Sequence, residues 1–257
     1  KQIVWIRHGC TFMNEFLGRH EFGCPNFSDI FSPSDQLYFD SKLSPLGLRQ
    51  SKQMKQKLIT TSKSDNEWLE NLELVVVSPL TRALQTYDIG LRPVLMEKSL
   101  SPKIAALPLA TERLYLISDH GRRRTDLERD WGNLIDFESF FRSQDGTTLL
   151  EEWWFGLDDY RDAKTSISSG ITSETYVEWR PCSQNQKYAC PGEDDTTFEI
   201  RMQRLYQWLE NRPESTIAVI CHWGVIDWFL DREFRNCEIG VVNFDDLRPL
   251  GKGHSIL

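Results

Sequence analysis

Residues Ser215–Asp231 read STIAVICHWGVIDWFLD, and the order of residue types in this stretch decides the fold. The run from Thr216 to Cys221 is short, apolar and rich in β-branched residues, as in a strand buried on both faces. It stops at His222, and after Gly224 the pattern turns helical. The start of the chain repeats this arrangement: QIVWI (Gln2–Ile6) is a strand that ends in Arg7, His8 and Gly9. A third apolar run lies in LELVVVSP (Leu72–Pro79), followed by LTRALQTYDIG (Leu80–Gly90), a helix that Gly90 is placed to close.

Further elements follow the same rhythm. LSPLGLRQSKQMKQKLI (Leu43–Ile59) opens on Ser-Pro and carries an amphipathic face, with Gly47 weakening its first turn. KIAALPLATERL (Lys103–Leu114) holds a strand before Pro108, and RRRTDLERDW (Arg122–Trp131) a short helix opened by a Thr125/Glu128 capping box. In TTFEIRMQRLYQWLENRP (Thr196–Pro213), Phe198, Met202, Leu205 and Leu209 fall on one helical face. Strands alternating with helices predict an α/β protein, a three-layer α/β/α sandwich with a mostly parallel central sheet. A single domain over 1–257 is expected, with an insertion over the site mouth at about 112–191. That insertion includes an aromatic stretch (Trp153, Trp154, Phe155, Trp179), which reads as core, lid or pocket wall, and TSISSGITSETY (Thr165–Tyr176), which reads as a mobile loop.

The net charge of −8 on 257 residues argues against a general affinity for nucleic acid, and no apolar run is long enough to span a membrane. An anionic ligand therefore needs a local cationic pocket. The six cysteines lack CxxC spacing and read as reduced thiols of a cytoplasmic protein, with a Cys182–Cys190 pair as the alternative. Lys1 rather than Met opens the chain, which leaves a removed targeting segment open. No metal-ligand spacing is visible, so no metal or cofactor is expected. Oligomeric state is not legible.

Ligands of open α/β sheets bind beyond the carboxyl ends of the strands. Three predicted strands end there in Arg7-His8, in Ser78 followed by Arg82, and in His222. Arginine forks match phosphate oxygens, and a neutral imidazole is a nucleophile for phosphorus. A second imidazole can donate to oxygens that gain charge, and the nearby cations keep the attacking ring unprotonated. Such a cluster suits covalent phosphoryl transfer from a small phosphorylated substrate.

Taken in order, IRHG with Asn14, SPLTRALQT, ATERL and VICHWG resemble the histidine phosphatase superfamily, in its phosphoglycerate-mutase-like branch. The resemblance spans most of the chain. It implies that His8 is the nucleophile and Glu112 the proton donor, with Arg7, Arg82 and His222 completing the phosphate pocket. Asn14, Thr11, Gly9 and the Trp223 N–H would assist in binding, while Asp119 and Glu15 compete with Glu112 for the acid role. The sequence departs from the family where Cys10 replaces the usual Glu, where Trp223 replaces a Gly, and where Leu116 replaces the Gly of a mutase-type run. Hydrolysis of a small metabolite's monoester is expected, ahead of a phosphoprotein substrate. A mutase and a catalytically weak binding protein are the alternatives. GRRRTDLE (Gly121–Glu128) is either a second anionic subsite or a turn whose arginines pair with Asp126, Glu128 or Asp130, the latter preferred. His20, His120 and His254 read as ordinary satisfied polar residues.

Overall fold

The computed structural model describes residues 1–18, 37–62, 66–114, 116–142, 148–151, 153, 193 and 195–247. The Cys182–Cys190 pair, the serine-rich loop, His20, His254, Trp154, Phe155 and Trp179 lie outside the described residues. Five strands form one sheet in the order β3-β2-β4-β1-β5: β1 (Gln2–Arg7), β2 (Leu74–Val77), β3 (Lys103–Ala106), β4 (Thr216–Cys221) and β5 (Ile239–Asn243). The first four are mutually parallel, and β5 pairs antiparallel with β1 at one edge. Every residue of β2 and β4 is buried, which explains their unbroken apolar runs.

Alternate strand residues feed two cores, as the two-residue period of a strand requires. Val4, Ile6, Val75, Val77, Ala218 and Ile220 pack on one side against α2 (Pro45–Thr60), α3 (Glu67–Glu70), α4 (Thr81–Thr86), α5 (Arg92–Glu97) and α6 (Arg124–Trp131). Ile3, Trp5, Leu74, Val76, Ile217 and Val219 face α7 (Asp195–Glu210) and α8 (Trp223–Leu230) on the other. The result is the three-layer α/β/α sandwich. Phe198, Met202, Leu205 and Leu209 are all buried, so the α7 stripe faces the sheet as its spacing predicts.

Several local readings need correction. Gly90 does not close a helix: α4 runs through a wider turn, Tyr87–Leu91, into α5. A Cβ on Gly90 would come within 2.2 Å of Met54 Cε, so this glycine serves the contact with α2. Gly47, expected only to weaken α2, lets its first turn meet the Cys10 backbone, where a Cβ would lie 1.9 Å from the carbonyl oxygen. Arg123 rather than Thr125 caps α6; Thr125 lies within the first turn, and its hydroxyl bonds Glu151. The parallel registers Arg7↔Cys221 and Val77↔Ile220 then bring His8, Ser78 and His222 side by side at the carboxyl rim.

Candidate active site

The loop after β1 is fixed from several directions. His8 N–H donates to the Cys221 carbonyl (3.1 Å), and Gly9 N–H donates to Thr86 Oγ1 (3.0 Å). A Cβ on Gly9 would meet the Gly47 carbonyl at 2.9 Å, so this glycine lets the loop approach the first turn of α2. Thr11 then caps α1 (Phe12–Leu17): its hydroxyl accepts from Asn14 N–H (3.0 Å) and Asn14 Oδ1 accepts from Thr11 N–H (3.1 Å). The cap uses the carbonyl end of the Asn14 side chain, which leaves its NH₂ uncommitted to the cap. Cys10 is buried against α2, its N–H bonded to Gln50 Oε1 at 2.8 Å, which is a packing role.

His8 is buried, and its Nδ1 lies 2.7 Å from its neighbour Gly9's carbonyl oxygen. A carbonyl only accepts, so Nδ1 carries the proton and Nε2 keeps its lone pair. Burial first, then the Arg82 and Arg7 charges, push the imidazole well below its ordinary pKa, so the ring is neutral. The His222 ring lies 5.0 Å from it, centroid to centroid.

Both nitrogens of His222 already have partners. Arg82 Nε donates to Nδ1 (3.2 Å), which places the proton on Nε2, 2.6 Å from Ser78 Oγ. Burial and Arg82 again hold this ring neutral. The remaining arms of Arg82 donate to the Ser118 carbonyl (2.5 Å) and to Asp119 Oδ1 (2.8 Å) in a buried ion pair. Asp119, a competitor for the acid role, thus stands as the anchor of Arg82. Thr81, at the start of the same helix, donates its N–H to Asp40 Oδ1 (2.8 Å) and its hydroxyl to Oδ2. Asp40 is buried from a distant loop, and burial pushes its carboxyl up. Sequence reading missed it, since nothing local marks an acid that caps a helix 41 residues away.

Arg7, half-buried, holds the Phe234 carbonyl through Nη1, while its Nε is buried and has no hydrogen-bond partner among the described residues. Glu112 enters from the loop after β3. Its Oε1 accepts from Arg113 N–H (2.9 Å) and its Oε2 from Gly224 N–H (3.2 Å), at the N-terminus of α8. Burial and the charge of Asp119 raise this carboxyl above the ordinary glutamate value. Gly224 makes room for it, because a Cβ there would fall 2.5 Å from Oε1.

The loop that carries Glu112 is clamped from α7, which sequence reading did not foresee. Arg201 forks onto Glu193 with bonds of 2.7 and 2.6 Å, and its Nη1 donates to the carbonyls of Leu109 (2.9 Å) and Thr111 (2.8 Å). Glu193 N–H in turn donates to the Leu114 carbonyl at 2.7 Å.

These residues open on a cavity of about 420 Å³ lined by Arg7, His8, Thr11, Asn14, Arg82, Glu112, Trp223 and Gly224, among others. His222 is not on its surface. Neither are Arg122, Arg123 and Arg124; Arg122 pairs with Asp130, and Arg124 with Glu128 at 2.7 Å. Trp153 is core, its indole N–H bonded to the Arg122 carbonyl at 2.8 Å. No group of acidic, histidine or cysteine side chains suited to a metal occurs among the described residues.

Fold and site together define an α/β protein with a neutral buried imidazole, guanidinium groups and a buried carboxyl of raised pKa around one cavity. Comparison with known proteins finds the following likenesses. The chain is 26% identical to the phosphoglycerate mutase-like protein 2 of Arabidopsis thaliana over 268 aligned positions, covering 94% of this chain and 72% of the relative. No protein-family model matches. Among solved structures, the α-ribazole phosphatase of Shigella flexneri shares 19% identity at a TM-score of 0.41, covering 89% of this chain and 77% of that one. The phosphoglycerate mutase of Thermus thermophilus shares 17% at 0.39, covering 92% and 86%, and a mycobacterial glucosyl-3-phosphoglycerate phosphatase 16% at 0.43, covering 96% and 95%. Superpositions this loose do not bear on activity or substrate. In its ordered motifs and in its likeness to the Arabidopsis relative, the chain is similar to histidine phosphatases of the phosphoglycerate-mutase-like branch.

Proposed function

We propose that the protein hydrolyses a phosphate monoester of a small metabolite through a phosphohistidine on His8. One observation carries the reading: the Gly9 carbonyl fixes the His8 proton on Nδ1, leaving Nε2 as a neutral nucleophile beside a cavity that Arg7 and Glu112 share. Nε2 attacks phosphorus as the P–O ester bond breaks. Glu112, raised in pKa and so able to carry a proton, gives it to the departing alkoxide. The resulting carboxylate takes a proton from water, whose oxygen attacks phosphorus and breaks the P–N bond. Phosphate leaves, and His8 is again neutral.

Arg7 holds phosphoryl oxygens with arms not spent on Phe234, and Arg82 adds charge from its anchored position. The Asn14 amide, the Thr11 hydroxyl and the Trp223 N–H at the start of α8 complete the cradle. His222 keeps Arg82 and Ser78 in place; it reaches a phosphoryl oxygen only by exchanging its Ser78 bond for one. Hydrolysis is favoured over return of the phosphoryl group to product because Leu116, a cavity-lining residue, stands where a mutase-type run carries a glycine. Cys10, Cys221 and Cys237 are free thiols, which supports a reducing, cytoplasmic setting.

The test is to trap the intermediate. Brief reaction with a ³²P-labelled monoester should leave an acid-labile label on the wild type and none on His8→Ala, with hydrolysis lost in parallel. Hydrolysis that survives in His8→Ala would refute the proposal.

A further inference from the structure

The cavity is not uniform in its lining. Part of its lining is the cationic set Arg7, His8 and Arg82, and another part is apolar: Met13 and Leu17 of α1, Leu116, Phe198 of α7, and Trp223 and Trp228 of α8. Met13, Phe198 and Trp228 are held in the cores, so that wall is rigid; Trp223 is 42% exposed at the mouth. Charge on this wall balances. Arg113 is its one cation among the described lining residues, and Asp227 supplies one carboxylate. Arg113 already donates to the Glu193 carbonyl (2.8 Å), and its guanidinium lies 6.0 Å from the Phe198 ring centroid. A second phosphate or a carboxylate on the substrate would have to leave water for a wall whose described residues offer it no uncompensated cation. An apolar group would instead exchange water for two indoles, a phenyl ring and aliphatic side chains.

From this lining we infer that the substrate carries a single phosphate on a bulky apolar, preferably aromatic, alcohol. The aromatic part lies between α1 and α8 against Trp223 and Trp228, and the phosphoryl group reaches His8. The inference rests on the phosphatase reading for its cationic set and adds the chemistry of the leaving group.

Three non-hydrolysable phosphonates separate size from charge in calorimetric titrations of the full chain: methylphosphonate, benzylphosphonate and 4-carboxybenzylphosphonate. Benzylphosphonate should bind about tenfold or more tightly than methylphosphonate, and the added carboxylate should cost about tenfold. In Trp223→Ala the benzyl advantage should shrink about threefold or more, and Trp223→Phe should restore most of it. Benzyl and methyl compounds within about threefold of each other, or a carboxylate that tightens binding, would overturn the inference. Turnover of phenyl and 4-carboxyphenyl phosphate keeps the two readings apart. If His8-dependent hydrolysis occurs without the preference, the phosphatase reading stands and the inference falls. If benzylphosphonate binds as expected but neither ester is hydrolysed, the inference about the wall stands and the phosphatase reading falls.

Discussion

The clamp on the Glu112 loop gives the sharpest prediction, because stability and catalysis should part company there. Arg201 and Glu193 are buried, with side chains 5% and 6% exposed, and Arg201 spends four bonds on Glu193 and on the carbonyls of Leu109 and Thr111. Arg201→Met leaves Glu193 as a buried carboxylate facing, among the described residues, Leu114 N–H at 3.4 Å, and strips two carbonyls of a donor. Breaking a buried pair from one side costs about 3–5 kcal/mol. Against a total stability of roughly 5–15 kcal/mol this is a large fraction, and urea denaturation measures it directly.

The double variant Arg201→Met/Glu193→Leu removes both charges and their desolvation cost, so most of the lost stability should return. The loop should not return with it, since no donor reaches the Leu109 and Thr111 carbonyls. Glu112, one residue further on, then loses its fixed approach to the leaving group. A displacement of about 1 Å costs on the order of 100-fold in rate, so single-turnover hydrolysis should stay depressed by tenfold or more in the refolded, stable double variant. If stability and rate recover together, the clamp supports the fold and does not position the acid. A loss below about 1 kcal/mol in Arg201→Met would refute the structural argument itself.

Other expectations follow from single contacts. Phosphorylation needs His8 neutral and Glu112 protonated; with His8 lowered and Glu112 raised, the single-turnover rate should fall on the acid side only below the ordinary imidazole value of 6.5 and on the alkaline side above the ordinary glutamate value of 4.5. Glu112→Gln should abolish the alkaline limb and lower the rate by about 10²–10⁴, and an alkaline limb unchanged in that variant would assign it elsewhere. Ser78→Ala frees the His222 Nε2 proton, so KM for a phosphomonoester should hold or fall if His222 turns toward phosphate, whereas a rise of about tenfold would show that Ser78 fixes the ring in its working position. Gly47→Ala should cost about 1–3 kcal/mol beyond any gain in helix propensity, because its Cβ meets Cys10 backbone, while Gly90→Ala, which meets the flexible end of Met54, should cost less; equal melting shifts would contradict the contact geometry.

The fold was legible where burial leaves a simple trace. Strands covered on both faces show as unbroken apolar runs, and three of those runs end in the residues that line or support the cavity. β5 escaped because an antiparallel edge strand exposes part of its side: Val241 is 42% exposed, so IGVVN has neither a full run nor clean alternation. The motif residues could be named from sequence, but their bonds could not. The sequence places His222 near phosphate, yet only the packing of α4 on β4 gives its Nδ1 to Arg82 and its Nε2 to Ser78.

One signal for the clamp was present and went unread. The stripe Phe198, Met202, Leu205, Leu209 faces the core, and Arg201 lies three residues after the first of these and four before Leu205, on the buried face. A guanidinium in that position cannot be left without anions or carbonyls, so its presence implies a buried acid that the helix itself does not supply. Asp40, in a turn, carries no such signal. Its carboxyl lies in a core and satisfies the first turn of α4, and through Thr81 it fixes the helix that carries Arg82. In this protein the groups expected to touch substrate lie in motifs. Among the groups that hold them, Arg201 is a single polar residue on an apolar face, and a polar residue out of place on such a face is therefore one mark by which a sequence reading can find the support of a site.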